Sequence, residues 1–215
     1  MQSRQRPYVA REGWIFIAIA LAVAAVLQFL LGMIVATPFW MGSLLLIYLF
    51  RDPVRDVPSS PLGVVCPVDG KIRSITVTKD PFLDRDAIQI FIKMSRFGPY
   101  FIRSPAEGKI VRQWVAGDAG SEITKIDPRA NFAMWVQTDE QDDVTVIVRG
   151  SIFGMRPYYF MQAGQRVGQG QRFGMLRFGS KVFVYIPVSS RILSNQGDQV
   201  SGGTDIIGSL MHSSI

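Results

Sequence analysis

Residues 172–187, Arg172-Phe173-Gly174-Met175-Leu176-Arg177-Phe178-Gly179-Ser180-Lys181-Val182-Phe183-Val184-Tyr185-Ile186-Pro187, decide the fold. The second half alternates: Val182, Val184 and Ile186 point one way and Phe183 and Tyr185 the other, the period of a β-strand. A Gly-Ser pair enters that strand, where glycine lets the backbone bend sharply. Taken alone, such a pair reads as a β-turn carrying a polar residue.

The same strand pattern recurs outward from this stretch. Candidate strands are Ile72–Val77, Ala87–Phe91, Lys109–Trp114, Phe132–Gln137, Val144–Val148, Pro157–Phe160, Met175–Arg177 and Lys181–Ile186. No segment after Phe50 has the length and 3.6-residue period of a helix. The acidic run Asp139–Asp143 is expected at a hairpin tip. Two internal repeats sharpen the picture: Pro67-Val68-Asp69-Gly70-Lys71-Ile72 returns as Pro105-Ala106-Glu107-Gly108-Lys109-Ile110, and Gly164-Gln165-Arg166-Val167-Gly168-Gln169-Gly170 returns as Gly197-Asp198-Gln199-Val200-Ser201-Gly202-Gly203. Glycine turns of the second kind resemble the hammerhead turns of lipoyl- and biotinyl-like sandwiches, where the backbone takes positive φ. The expected fold is therefore an all-β barrel-sandwich of that hammerhead type.

Upstream the composition changes. No charged residue occurs from Trp14 to Phe50, with apolar runs at 14–36 and 39–50 separated by Thr37-Pro38. A first run of 23 residues followed by a second is longer than a signal peptide's apolar core. Either the first helix spans a membrane and the second lies at its surface, or the two form a hairpin bent between Gly32 and Pro38, where proline cannot donate to a continuing helix. Basic residues flank both ends, Arg4, Arg6 and Arg11 before and Arg51 and Arg55 after, and the positive-inside rule then favours a membrane hairpin with both ends in the cytoplasm. The expected division is a membrane anchor over 1–57, ending in the linker Val57–Pro61, and a β domain over 58–215 on the cytoplasmic side of the cell membrane.

The formal charge is +6, from 23 Lys and Arg against 17 Asp and Glu. The excess is local: Val144–Gly197 holds seven basic residues (Arg149, Arg156, Arg166, Arg172, Arg177, Lys181 and Arg191) and no acidic one. Beside a membrane anchor, such a segment suits anionic phospholipid, and no nucleic-acid-binding motif accompanies it. Cys66 is the only cysteine and His212 the only histidine, which rules out an internal disulfide and a zinc site built from His and Cys. No metal is expected, and a homo-oligomer is left open.

Arg172-Phe173-Gly174-Met175-Leu176-Arg177-Phe178-Gly179-Ser180-Lys181-Val182 closely resembles the self-cleavage site of the short bacterial phosphatidylserine decarboxylases. The likeness extends to the apolar N-terminal stretch, to Phe50-Arg51-Asp52-Pro53 and to Pro67-Val68-Asp69-Gly70. It implies a lyase of phospholipid biosynthesis, made as a zymogen and converting phosphatidylserine to phosphatidylethanolamine and carbon dioxide. Decarboxylating an amino acid needs an electron sink that no side chain supplies, so a carbonyl cofactor is required. The resemblance supplies one, a pyruvoyl group formed when Ser180 Oγ attacks the Gly179 carbonyl and the resulting ester eliminates. Gly179, Ser180 and Asp69 are the catalytic residues it implies. Arg103, matching an arginine of the family, is expected with Arg177 and Lys181 to contact lipid phosphate.

One segment departs from the family. Where the resemblance leads one to expect an Asp, a His and an Asn, this chain has Gly98, Tyr100 and Ile102, within Met94-Ser95-Arg96-Phe97-Gly98-Pro99-Tyr100-Phe101-Ile102-Arg103-Ser104-Pro105. A serine nucleophile normally needs an adjacent base, and a phenol of pKa about 10 is a poorer one at neutral pH than an imidazole at about 6.5. His212, four residues from the C-terminus, reads as a tail residue rather than a substitute. Nor is the family's Asn-Glu-Arg segment recognisable near Asp127–Asn131. Two readings follow: a pyruvoyl-dependent decarboxylase, and an unprocessed, inactive relative that binds anionic phospholipid or a membrane partner.

Overall fold

The computed structural model describes residues 14–49, 51, 55–95, 98–116, 122–151, 158–176 and 180–211. The chain divides into two compact units, Met1–Val54 and Arg55–Ile215. The division falls ahead of the expected linker because Arg55 and Val57 are held by the second unit. Arg55 bonds Asp69, and Val57 packs so closely on Gly170 that a Cβ there would come within 2.6 Å of Val57 Cγ2.

The first unit holds helices α1 (Trp14–Leu31) and α2 (Met33–Leu49). α1, with a mean hydropathy of 2.6, is long and apolar enough to cross a membrane, and α2 is a shorter apolar helix. The break between them is Gly32, at φ +85°, a left-handed conformation that favours glycine. Thr37-Pro38 does not interrupt the second helix, as the sequence suggested; Pro38 lies inside α2. Proline removes a single donor, and in apolar helices neighbouring hydroxyls help re-satisfy the freed backbone. The Thr37 hydroxyl donates to the Met33 carbonyl at 2.9 Å. The helices fold back on each other. Trp40 Nε1 donates to Gln28 Oε1 at 2.9 Å, whereas in one continuous helix these residues would be about 18 Å apart along the axis. The buried residues of the pair are small, Ala24, Ala36 and Ser43, which lets helices approach closely.

The second unit is mostly β. Its strands are β1 (Gly63–Val65), β2 (Gly70–Asp80), β3 (Arg85–Met94), β4 (Phe101–Arg103), β5 (Gly108–Val115), β6 (Ala130–Gln137), β7 (Asp143–Ser151), β8 (Tyr158–Tyr159), β9 (Arg166–Val167), β10 (Arg172–Met175), β11 (Ser180–Pro187), β12 (Arg191–Ile192), β13 (Gln199–Val200) and β14 (Ile206–Ser209), with a single-turn helix α3 (Ile123–Ile126). An eight-stranded antiparallel sheet has the order β13-β2-β3-β11-β7-β6-β5-β9, and two three-stranded sheets have the orders β1-β14-β12 and β4-β10-β8. The long expected strands all form. β6 and β7 meet at the Thr138–Asp142 tip, and Asp143 opens β7. Met175 ends β10 instead of beginning a strand, and Arg177 lies outside the described residues, as does Pro157. The two-residue strands have too few residues to show a period.

The sequence repeats are realised as a pseudo-two-fold. The large sheet is palindromic about the β11–β7 pair: β3 answers β6, β2 answers β5 and β13 answers β9. The bonds match. Gly197 N–H donates to Ile72 O and Gly164 N–H to Ile110 O, while Ile72 N–H donates to Asp198 O and Ile110 N–H to Gln165 O. The paired glycines Gly164 and Gly197 take φ +91° and +101°, and Gly170 and Gly203 take +67° and +78°.

β11 is buried on both faces, which is why its alternation is between aliphatic and aromatic residues rather than apolar and polar ones. Val182, Val184 and Ile186 lie on one face with Ile90, Ile92, Val146 and Val148. On the other, Phe183 and Tyr185 join Ala87, Trp114, Ile123, Ala130, Ala133 and Ile147. Phe183 stacks on Phe91 with ring centroids 4.7 Å apart. Burial raises the Tyr185 hydroxyl's pKa, partly offset by the hydrogen bond it accepts from Gln89.

Candidate active site

β11 begins at Ser180, next to Lys181, which pairs with Lys93 on β3 and Arg149 on β7. β3 in turn pairs Met94 with Gly70, the residue after Asp69. Register therefore brings Ser180 and Asp69 to one end of the large sheet with β3 between them, a backbone separation of about 10 Å at ordinary strand spacing. The chain leaving β3 stays beside Asp69, through Ser95 and Gly98.

Asp69 is fully engaged. Its Oδ1 accepts from Gly202 N–H at 2.6 Å and its Oδ2 from Arg55 Nη2 at 2.6 Å. Its carbonyl accepts from Ser95 N–H at 2.8 Å, tying the Asp-Gly turn to the end of β3. A Cβ on Gly98 would come 3.3 Å from Asp69 Cβ and 3.2 Å from Ser95 Cβ. The position expected to carry an acid thus lies against Asp69, and here it is filled by a glycine. Arg55 provides the ionic partner.

Tyr100 is 2% exposed. Its carbonyl accepts from Leu176 N–H at 2.7 Å, which binds it to the chain approaching Ser180. The next residues form β4, with Phe101 opposite Met175 and Ile102 opposite Gly174 on β10. Position 100, where the resemblance places a base, is thus tied to Leu176, the last described residue before Ser180. Burial pushes the Tyr100 phenol's pKa up, further from that of a base at neutral pH. Cys66 is no substitute nucleophile: burial pushes its thiol up to about 12, and Sγ donates to Val68 O at 3.0 Å.

Among the expected lipid contacts, Lys181 is exposed. Arg103 is not a surface cation: it is 7% exposed, and its Nη1 donates to Gly170 O at 3.0 Å. Gly203 accommodates it, since a Cβ there would come 2.6 Å from Arg103 Cδ. Arg103 thus touches both glycine turns and ties them together. Gly179, Arg177 and His212 lie outside the described residues. Asp127, in the segment where the resemblance leads one to expect Asn-Glu-Arg, is buried and paired with Arg149 Nε at 2.5 Å. Sequence reading missed Arg55 as the partner of Asp69, because only tertiary folding joins residues 14 apart on either side of a strand.

The phosphatidylserine decarboxylase family model matches residues 43–208. Relatives named phosphatidylserine decarboxylase proenzyme occur in Aromatoleum aromaticum, 38% identical over 95% of this chain and 96% of the relative, and in Nitrosomonas europaea, 37% identical over 90% and 91%. One from Burkholderia ambifaria is 34% identical over 95% and 97%. Among solved structures, glucose permease IIA from Mycoplasma capricolum aligns at a TM-score of 0.44 and 15% identity over 68% of this chain and 94% of its own, too weak a likeness to carry an argument. With this match along nearly its whole length, the chain belongs to the phosphatidylserine decarboxylase family.

Proposed function

We propose that this protein is a membrane-anchored decarboxylase that converts phosphatidylserine to phosphatidylethanolamine and carbon dioxide. The observation that carries this reading is the Gly179-Ser180 pair at the head of the central strand, on the same end of the sheet as Asp69, in a chain of this family. A pyruvoyl group made from Ser180 would supply the electron sink for loss of the carboxylate. The fit is partial. Ser180 and Asp69 are present in this chain, whereas the position where the resemblance expects a base holds a buried phenol. The chain's own residues would do the rest. Ser180 Oγ would attack the Gly179 carbonyl and break the Gly179–Ser180 amide, the hydroxyl proton passing to the Ser180 nitrogen. Elimination would then free the Gly179 carboxylate, and hydrolysis would release the nitrogen as ammonia. Asp69 holds the turn after β1 through Gly202 and Arg55, and β3 with β7 fix the strand that carries the serine. α1 anchors the protein in the membrane, and flanking basic residues favour a cytoplasmic β unit. The paired glycine turns support reading that unit as a barrel-sandwich of the lipoyl/biotinyl-like hammerhead type.

Gly98, Tyr100 and Ile102 favour a second reading, an unprocessed relative that binds anionic phospholipid through the same scaffold. Denaturing electrophoresis with intact-mass analysis separates the two. A processed chain gives residues 1–179 and a 36-residue piece from position 180 with a blocked N-terminus, and Ser180→Ala abolishes the split. A wild-type chain that stays whole after prolonged incubation with phosphatidylserine membranes rejects the decarboxylase and leaves the lipid-binding relative.

A further inference from the structure

Four cations stand in one row across the large sheet. Lys71 on β2 is opposite Lys93 on β3, Lys93 is opposite Lys181 on β11, and Lys181 is opposite Arg149 on β7. Directly opposed residues in neighbouring strands project from the same face, and like charges so placed repel one another. The three lysines are exposed, and among the described residues none has a carboxylate partner; Arg149 alone is paired, with Asp127. Asp69, next along the chain from Gly70 and Lys71, offers no relief because its two oxygens are taken by Arg55 and Gly202.

The fold does not demand this row. The pseudo-two-fold supplies the comparison inside the same molecule: the counterparts of Lys71, Lys93 and Lys181 at the opposite end of the sheet are Lys109, Gln137 and Asp143. There, Asp143 Oδ1 accepts from Gln137 Nε2 and Trp135 Nε1, so that end is mixed in charge and internally bonded. One backbone arrangement thus carries a satisfied polar row at one end and an uncompensated cationic row at the other.

We infer that Lys71, Lys93, Lys181 and Arg149 form a docking row for the phosphates of an anionic phospholipid surface, distinct from any contact that the Ser180 site makes with its substrate. Charge complementarity and the tether select that occupant. Arg55, bound to Asp69 beside β2, is six residues beyond Leu49, the last residue of the apolar helix α2. The chain emerging from the apolar helices therefore enters the β unit at the cationic end of its sheet. The acid-free Val144–Gly197 segment contributes two of the four cations, and Lys71 and Lys93 come from outside it.

The test is amine-reactive labelling of the full chain, read lysine by lysine by mass spectrometry, after reconstitution in phosphatidylcholine vesicles with and without phosphatidylglycerol. Phosphatidylglycerol is expected to slow labelling of Lys71, Lys93 and Lys181 about fivefold, leaving Lys109 and Lys79 unchanged. High salt, which shortens the Debye length to about 3 Å, is expected to remove the difference. Combining Lys93→Gln with Lys181→Gln should restore Lys71 labelling to its rate in neutral vesicles. Equal labelling of the row in both membranes overturns the inference, as does protection of Lys109 to the same extent. Protection by soluble heparin in neutral vesicles equal to that by phosphatidylglycerol would make the row a general polyanion site and reject the lipid assignment. The readout does not depend on cleavage at Ser180, so it stands or falls separately from the decarboxylase.

Discussion

Cys66 and Tyr100 show what burial does to single residues next to the candidate site. The thiol at about 12 and the raised phenol both resist ionisation in the folded protein. For such groups stability is complete below the unfolded pKa and is lost as pH rises toward the folded value. For Cys66 that window runs from about 9 to about 12, with a slope approaching 1.4 kcal/mol per pH unit. Denaturant midpoints measured at stepped alkaline pH should fall across this window, and Cys66→Ser, which removes the titrating thiol, should flatten the fall. A midpoint unchanged up to pH 11 would contradict the burial argument. At Asp69 the loss is of partners rather than of a proton: Asp69→Ala strands the Gly202 N–H and the Arg55 guanidinium. An orphaned group of this kind costs about 1–3 kcal/mol, to be read from the thermal midpoint independently of any effect on processing.

At the scale of elements, the cationic row and the glycine turns make opposite claims about stability. Lys93 sits between Lys71 and Lys181, so Lys93→Gln relieves two repulsive pairs. The chain is expected to gain roughly 0.2–1 kcal/mol per pair relieved, measured by denaturant unfolding at low salt and shrinking as salt is added. A loss of stability would mean that the lysine stem packs more than its charge repels. In the turns, Gly164 and Gly170 both have positive φ, but only Gly170 is also crowded, by Val57. Gly164→Ala should therefore cost the backbone term alone, about 1–2 kcal/mol. Gly170→Ala should cost more, and Val57→Ala should return part of the difference.

For the whole molecule, the two apolar helices set the test of membrane topology. α1 and α2, of 18 and 17 residues, reach about 27 and 25 Å as ideal helices, against a hydrocarbon core of about 30 Å. The Gly32 break and the Gln28–Trp40 hydrogen bond fold them into a hairpin, which on the proposed reading would bring both ends to one side of a membrane. Single cysteines introduced as Gln5→Cys and Ser60→Cys are expected to react from the same side of sealed vesicles. The native Cys66, buried and protonated, should not compete for the label. Reaction from opposite sides would establish a single span.

Periodicity and repetition carried most of the fold in the sequence itself. Alternation over Lys181–Ile186 is a local steric signal, and the doubled Pro-x-x-Gly-Lys-Ile and Gly-x-x-Val segments announce paired turns because each copy makes the same backbone bonds. The Gly179-Ser180 pair and Asp69 are proposed as site residues through the resemblance to the family, not through periodicity or repetition. Tertiary structure alone decided the rest. Pro38 remains helical although its own chemistry argues for a break, and Arg103 is interior although arginine is usually solvated. Arg55 finds Asp69 only because a turn is folded onto the entering chain. The cationic row belongs to this second class: Lys71, Lys93, Arg149 and Lys181 are far apart in sequence, and only strand register makes them neighbours. Register is set by pairing between strands, which no single strand's own pattern specifies.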